Sequence, residues 1–394
     1  MSKENKTPTT KKSSAKTADT KITTKTVTKA GTTSKKPSEP AKKTATVKSA
    51  EKISAAKKST TTSTTIKKPT TKKTVKETPV KKVVKKKAVG KAETEGPLEK
   101  YLEAGKISIQ VKDFMREKVK IGASVLELCE AGEAKIVELG GKWAFPLNIS
   151  INNIAAHYSS PPDDDLVIQS GDIVKVDCGV HIDGYVADTA FTLSFGSDHA
   201  DLIKASEEAT KAAIDMIRPG ITTDRLGEEI ETIIRSYGYR PIRDLTGHQL
   251  DQNMLHGPIV IPNIKGTKGV KLEEGQAFAI ETFATTGTGG THPDETKCFI
   301  YQLMPFQIGL RIDASRKARK VILSNYKDFP FNVRWIAKEI TTPTANLALK
   351  DLSSKGQIRR FPALCDIKGA FVSQSEHTVY LTDKSRVVTT LPNQ

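Results

Sequence analysis

Four acidic residues and one histidine form a candidate set of metal ligands. The set is Asp177, Asp188, His248, Glu281 and Glu376. Four carboxylates and an imidazole suit divalent ions of the manganese, iron, cobalt or zinc type, whereas a structural zinc prefers thiolates in a closed tetrahedral site. Because one cation cannot offset four negative charges, we predict two divalent ions. Such a pair can activate water and polarise a carbonyl, which permits hydrolysis without a covalent intermediate.

Other kinds of catalytic chemistry find little support in the sequence. There is no serine nucleophile elbow, and the glycine-rich run at Thr286–His292 lacks the Lys-Ser/Thr of a phosphate-binding loop. The four cysteines are scattered without CxxC spacing, and we predict that they are buried thiols: Cys129, Cys178, Cys298 and Cys365. Taken alone, His248 is more typical of a structural histidine. The presence of four candidate carboxylate ligands favours the interpretation of His248 as a metal ligand.

The segment Gly171–Phe195 predicts a β-hairpin that carries two of the carboxylates. Asp183-Gly184 is a strong signal for a two-residue turn. Such a turn places Gly179 opposite Asp188, so that Asp177 and Asp188 share one face as diagonal neighbours with a glycine between them. Two converging carboxylates need a cation or a shared proton. From the hairpin alone, a surface hairpin with two solvated aspartates is the alternative.

An internal repeat of about 100 residues predicts how the two halves of the site meet. Helical periodicity in 98–140 returns in 199–238, and extended segments follow each time. The aligned positions are Gly122 with Gly220, Gly140 with Gly238, and His157 with His256. The segment that ends in Asp177 likewise matches the one that ends in Glu281. A pseudo-twofold axis would bring these two carboxylates to the centre, with the two histidines on opposite sides.

The region after the repeat interrupts its pattern. Residues 305–360 look like an inserted helical subdomain, and the chain then returns to strands, one of which contains Glu376. The predicted helices are 315–327 and 345–350, with Trp335-Ile336 between them, and the predicted strands are 367–372, 375–381 and 386–389.

Residues 1–95 differ from the rest of the chain in composition. They hold 27 lysines, no arginine and 7 acidic residues, which gives this segment a net charge of +20. Because the whole chain carries +17, the remaining residues carry a net charge of −3. We predict a disordered tail that serves as a polycationic arm for nucleic acid or the ribosome; a solubilising leader without a specific partner is the alternative. Because we find neither a secretory apolar segment, nor an arginine-rich transit peptide, nor a membrane span, we expect a cytoplasmic protein.

Five motifs carry a resemblance to a known family. They are NNIAAH (152–157), VDCGVHIDGYVADTAFT (176–192), GHQLDQNMLHG (247–257), AIETFAT (279–285) and LCDIKGAFVSQSEHTV (364–379). From about Pro97 onward the chain resembles the methionine aminopeptidases (peptidase family M24, subfamily A), and its insert of about 60 residues resembles the type 2 group of archaea and eukaryotes. The resemblance implies an α+β pita-bread fold over 96–394 with pseudo-twofold symmetry.

The resemblance also implies a role for each ligand. Asp188 and Glu376 would bridge two metal ions, drawn from cobalt, manganese, iron and zinc. Asp177 would complete one metal site, while His248 and Glu281 would complete the other. Glu281 would double as the general base.

A second group of residues would contact the substrate. His157 would lie near the N-terminal methionine, and His256 would stabilise the tetrahedral intermediate. The methionine pocket would be lined by Phe145, Leu255, Phe299 and Phe361; ordinary core packing is the alternative for these four.

The function implied is removal of the initiator methionine from nascent chains whose second residue is small, by a monomeric enzyme whose tail contacts the ribosome or RNA. Two alternatives of the same fold stay open at this point. One is a non-catalytic relative that binds RNA or ribosomes and has lost ligands; metal content would distinguish it. The other is an Xaa-Pro dipeptidase, which a comparison of Met-Ala with Ala-Pro would distinguish.

Overall fold

The structure, a computed structural model, describes residues 96–196, 198–306 and 308–392. The predicted tail, 1–95, lies outside the described residues. The helices are α1 (Pro97–Lys118), α2 (Val125–Glu138), α3 (Ala200–Met216), α4 (Thr223–Ser236), α5 (Asp313–Asn325), α6 (Val333–Ile340) and α7 (Thr342–Ser354). Among the described residues, no helix combines the length and the apolar character needed to cross a membrane.

The strands are short at the edges of the sheets and long at the centre. They are β1 (Lys142–Trp143), β2 (Asn148–Ile151), β3 (Ile154–Ala156), β4 (Ile173–Ile182), β5 (Tyr185–Ser194), β6 (Arg240–Pro241), β7 (Thr246–Leu250), β8 (Val260–Pro262), β9 (Ala277–Thr285), β10 (His292–Leu303), β11 (Phe331–Asn332), β12 (Ile358–Cys365), β13 (Val372–Leu381) and β14 (Arg386–Val388).

The two helix pairs, α1–α2 and α3–α4, repeat one local design. Gly122 and Gly140 have φ angles of 82° and 89°, and their counterparts Gly220 and Gly238 have 92° and 82°. These left-handed conformations favour glycine because a Cβ would be strained there. The predicted alignment of the two halves therefore agrees with the backbone at each helix end.

Each half packs its helix pair against the back of its own sheet. In the first half, buried side chains such as Val111 of α1 and Leu128 of α2 join Val176 of β4. In the second half, Leu202 and Ile230 of α3 and α4 join Phe278 of β9. Burial of such side chains is the main favourable term in folding, and it leaves the opposite face of both sheets free to carry polar groups.

The strands form three sheets. The first has the order β1-β4-β2, with β5 also on β4, and the second has the order β14-β13-β9-β7-β8, with β6 also on β9. The third has the order β11-β10-β12-β3 and so joins strands from distant parts of the chain. All four cysteines are free and buried, as predicted.

Threonine hydroxyls connect the first two sheets where β5 runs along β13. The Thr378 hydroxyl accepts a hydrogen bond from the Asp188 N–H at 2.7 Å and donates one to the Asp188 carbonyl at 2.8 Å. The Thr189 hydroxyl donates to the Glu376 carbonyl at 2.9 Å. The backbones of Asp188 and Glu376 are thereby held side by side, although they belong to different sheets.

We expect Thr378→Val to destabilise the protein by on the order of 2 kcal/mol, because the isosteric side chain leaves the buried N–H and carbonyl of Asp188 without these partners. Urea unfolding would measure the loss. Thr232→Val is a matched control, since that hydroxyl donates to the Glu228 carbonyl on an exposed helix face. Equal stability of the two variants would contradict a structural role for the threonine contacts between β5 and β13.

Helices α5, α6 and α7 occupy most of the predicted insert and share a core that includes Phe331, Ile336 and Leu349. The buried Arg334 guanidinium joins them to α2 by two hydrogen bonds to the Glu133 carboxylate, at 2.8 and 3.0 Å. Such bidentate pairs are among the stronger polar contacts. The limits of the insert, 305–360, and of the domain, 96–394, stay predictions.

Two local predictions in this region were incomplete and one was wrong. Trp335-Ile336 lies in α6, a helix between α5 and α7 that was not predicted, and the predicted helix 345–350 is the middle of the longer α7. No strand forms over 367–372 as a whole: the chain turns there, with Gly369 at a φ angle of 86°. The neighbouring strand is β12, which pairs with β10 and β3. These partners are distant in sequence, and local periodicity does not reveal them.

Candidate metal centre

The hairpin forms as predicted and sets the first two carboxylates. Asp183 and Gly184 make the turn with φ angles of 50° and 90°, as a two-residue turn with positive φ at both positions requires. Gly179 pairs with Asp188, and Asp177 pairs with Ala190. The two aspartates are therefore diagonal neighbours on one face of the β4–β5 ribbon.

The second half contributes three more residues through strand register. Glu281 of β9 pairs directly with Glu376 of β13, and His248 of β7 pairs with Ala279, two residues from Glu281. The His248 Nε2 atom lies 3.7 Å from Asp188 Oδ2 and 3.7 Å from Glu281 Oε1. Ligand atoms of Asp188, His248 and Glu376 all lie within 4.8 Å of one another.

Asp177 belongs to the same cluster, but its contact is looser. Its Oδ2 atom accepts a hydrogen bond from Gln374 Nε2 at 3.5 Å, and its carboxylate lines the same cavity as the other four residues. All five predicted ligands are thus brought together by the structure.

The electrostatics of this cluster are unfavourable for four bare carboxylates. Burial raises the pKa of Asp177 to about 7. Burial, and then the neighbouring carboxylates, raise the pKa of Asp188, Glu281 and Glu376 well above the usual range. Like charges at such distances in a buried site need protons or cations to offset them.

Buried oxygen atoms of the cluster also lack hydrogen-bond partners. They are Asp177 Oδ1, Asp188 Oδ1 and Glu376 Oε2. Leaving such atoms unpaired costs free energy, and carboxylate oxygens beside an imidazole are a donor set suited to divalent metal ions. The residues present therefore fit a divalent metal centre.

The cluster forms the floor of a cavity of about 310 Å³. Two histidines and three apolar side chains of the predicted substrate site line its walls: His157, His256, Phe145, Leu255 and Phe361. The cavity thus joins a polar floor to an apolar wall.

Phe299 is the one predicted pocket residue that does not line this cavity. Its ring contacts Tyr158 instead, with 5.9 Å between ring centroids, and Ile300 lines the cavity. The register of β10 shifts between Cys298 and Ile300. Such an irregularity changes which side chains of a strand face inward, and the place of Phe299 in the methionine pocket stays a prediction.

The two wall histidines stand close to the metal-ligand cluster and to Phe361. The His256 ring centroid lies 4.5 Å from that of His248 and 6.4 Å from that of Phe361, and His157 meets Phe361 edge-on at 5.6 Å. Burial and the proximity of His256 lower the pKa of His157 to about 4. Removal from solvent and the Arg359 charge also lower the pKa of His256. Both imidazoles are therefore neutral near pH 7, and each can donate one hydrogen bond.

Sequence reasoning missed several residues of the cavity. Asn148 pairs with Asp177 across β2 and β4 and has a buried, unpartnered Oδ1 atom. The sequence could have indicated this residue, because Asn148 is a polar residue within the largely apolar segment LNISI. Asp244 and Arg359 lie at the mouth. Neither belongs to a distinctive motif, and only tertiary packing brings them there.

Comparisons with known proteins place the chain in a family of metallopeptidases. Residues 99–315 match the sequence profile of metallopeptidase family M24. A methionine aminopeptidase of Archaeoglobus fulgidus is 41% identical over 292 residues, which cover 74% of this chain and 98% of that protein. A methionine aminopeptidase of Pyrococcus horikoshii is 41% identical over 294 residues, which cover 74% of this chain and 99% of that protein.

Two solved structures support the fold. A thermophilic Arx1 superposes with a TM-score of 0.68 at 20% identity and covers 76% of this chain and 91% of its own. A methionine aminopeptidase of Thermotoga maritima superposes with a TM-score of 0.55 at 21% identity and covers 76% of this chain and 98% of its own. The predicted pita-bread fold is confirmed. Because the family profile matches more than half of the sequence and the relatives match almost end to end, this chain belongs to metallopeptidase family M24, among its methionine aminopeptidases.

Proposed function

We propose that the protein is a type 2 methionine aminopeptidase that removes the initiator methionine from nascent chains whose second residue is small. The observation that carries this proposal is the meeting of five ligand-type residues with an apolar wall in one cavity. The insert and the similarity to enzymes of archaeal species support the type 2 assignment.

Two divalent metal ions would be held by the cluster, through Asp177, Asp188, His248, Glu281 and Glu376. When bound, such ions supply Lewis acidity and lower the pKa of water. The register that pairs Glu281 with Glu376, and the threonine contacts that hold Asp188 beside Glu376, support a single centre formed by these residues.

The remaining steps are assigned to residues of this chain. Glu281 takes the proton of the attacking water as general base, because its carboxylate lines the cavity and lies 3.7 Å from His248 Nε2, within the ligand cluster. The neutral His256 imidazole donates a hydrogen bond to the oxygen that becomes negative in the tetrahedral intermediate. His157, opposite His256 in the cavity wall, orients the amino-terminal residue.

The methionine side chain would occupy the apolar part of the cavity. Phe145, Leu255 and Phe361 line it, and an unbranched thioether packs well against aromatic rings. The width of this pocket depends on Gly179, since a Cβ at that position would overlap the Phe145 ring.

We expect Gly179→Ala to raise KM for a Met-Ala peptide about tenfold, with a smaller change in kcat, because the displaced Phe145 ring narrows the pocket that binds the methionine. Steady-state kinetics would measure both constants. Gly309→Ala serves as control, since a Cβ there has no neighbour within 4 Å. An unchanged KM would show that Phe145 does not bound the methionine pocket.

The proposed activity is tested by hydrolysis of amidated Met-Ala-Ser and Leu-Ala-Ser peptides, and of the free dipeptide Ala-Pro, by protein loaded with manganese or cobalt. We expect cleavage of the methionine peptide alone, and loss of that cleavage on chelation. Cleavage of Ala-Pro would point to an Xaa-Pro dipeptidase instead. Failure to bind metal and to cleave any peptide would point to a non-catalytic relative.

We also propose that residues 1–95 tether the enzyme to ribosomal RNA. Their 27 lysines without arginine or aromatic residues suit contact with phosphates rather than bases. Deletion of residues 1–95 should abolish co-sedimentation with ribosomes at low salt. Undiminished co-sedimentation of the shortened chain would refute the tether.

A further inference from the structure

Arg359 places a positive charge at the mouth of the substrate cavity. It is the second residue of β12, and successive side chains of a strand point to opposite faces. Arg359 therefore shares its face with Phe361 and lines the cavity. Arg360 lies on the other face, where it forms an ion pair with Glu295 at 2.8 Å.

The guanidinium of Arg359 rests on the aromatic wall. Its Cζ atom lies 4.8 Å from the centroid of the Phe361 ring, and that ring contacts both His157 and His256. A planar guanidinium that stacks on a ring keeps its N–H groups free at the edge. These groups are arranged to bind a carboxylate by two parallel hydrogen bonds.

No carboxylate of the described part of the chain forms an ion pair with Arg359. The acidic group at the mouth, Asp244, already accepts a hydrogen bond from the Thr291 N–H at 2.6 Å and lies 3.5 Å from the Arg243 guanidinium. The carboxylates on the cavity floor belong to the candidate metal centre. The charge of Arg359 is thus open to a group that enters from outside.

We propose that Arg359 is a specificity residue that favours peptides with an acidic side chain at the third position. This inference rests on the proposed aminopeptidase function. With the methionine side chain against the apolar wall and its peptide bond over the ligand cluster, each extended residue spans about 3.3 Å. The peptide then leaves past the two histidines, and its third residue reaches the mouth beside Arg359.

The test compares two C-terminally amidated peptides, Met-Ala-Glu-Ala and Met-Ala-Gln-Ala, cleaved by the full-length, metal-loaded protein. We expect kcat/KM to be about fivefold higher for the glutamate peptide, the upper range for an exposed ion pair. The difference should lie in KM, because the contact forms equally in the ground and transition states. It should shrink in about 1 M salt, where the screening length is about 3 Å.

Two variants assign the effect to one side chain. In Arg359→Gln the ratio of the two kcat/KM values should fall to about 1, whereas Arg360→Gln, a neighbouring exposed arginine on the other face, should keep the ratio. A third peptide, Met-Ala-Gln-Ala with a free carboxyl terminus, separates a side-chain carboxylate at the third position from a terminal carboxylate at the fourth. Thermal unfolding of both variants would verify that they are folded.

The inference is overturned if the unsubstituted protein cleaves both amidated peptides equally, or if the preference survives in Arg359→Gln. An equal gain from the free carboxyl terminus would overturn the assignment to the third residue. Cleavage of neither peptide would be a different result, since the proposed function itself would then fail and the inference with it.

Discussion

Glu281→Gln is expected to lower kcat for methionine removal by about 10²–10⁴-fold, the usual contribution of a general base. The amide cannot take a proton from water, yet it preserves the size of the side chain and its place opposite Glu376. The loss should appear in kcat and kcat/KM together, because proton transfer matters only in the transition state. Steady-state hydrolysis of an amidated Met-Ala-Ser peptide measures it.

Metal content and a matched variant make this result interpretable. Glu273→Gln alters an exposed carboxylate shortly before the same strand, so its activity should equal that of the unsubstituted protein. Elemental analysis of both variants would separate loss of the base from loss of metal. If Glu281→Gln kept its metal and more than about a tenth of the activity, another group would have to act as the base.

Metal-free protein is expected to lose stability as the pH rises from about 5 to 8. Unfolded aspartates and glutamates have pKa values near 4, whereas the folded pKa of Asp177 is about 7 and those of Asp188, Glu281 and Glu376 are raised further. The folded state therefore holds protons that the unfolded state has released. The stabilisation that these protons provide is complete at pH values below the pKa of the unfolded carboxyl groups. It is lost as the pH rises through the higher pKa values of the same groups in the folded protein.

The expected size of this effect is several kcal/mol, because one pKa unit corresponds to about 1.4 kcal/mol. For a domain of this size, we expect the Tm of chelator-treated protein to fall by about 5–10 °C between pH 5 and pH 8. Added manganese should restore the Tm at pH 8, since bound cations replace the protons and favour the folded state. Scanning calorimetry with and without metal measures both changes.

Asp188→Asn provides the matched variant for this experiment. Removing one buried charge should make the metal-free variant more stable than the unsubstituted protein at pH 8, while its response to manganese is lost. A metal-free Tm that is independent of pH, or a variant less stable than the parent at pH 8, would show that the carboxylates do not repel one another as described.

Local signals in the sequence determined the parts of the site that lie close together along the chain. Asp183-Gly184 required a two-residue turn, and strict alternation along the strands then placed Asp177 and Asp188 on one face around Gly179. Matched glycines at the ends of both helix pairs revealed the duplicated half, because only certain residues tolerate a positive φ.

Tertiary structure alone decided how the two halves meet and what stands around the metal centre. The approach of Asp188 to Glu376 depends on hydrogen bonds of threonine hydroxyls between β5 and β13. No local sequence pattern predicts these hydrogen bonds. The irregular register of β10 turned Ile300 rather than Phe299 toward the cavity. Pairing of β12 with β10 likewise brought Arg359 to the mouth. Such contacts join residues far apart in sequence, so their outcome depends on packing of the whole chain rather than on local preference.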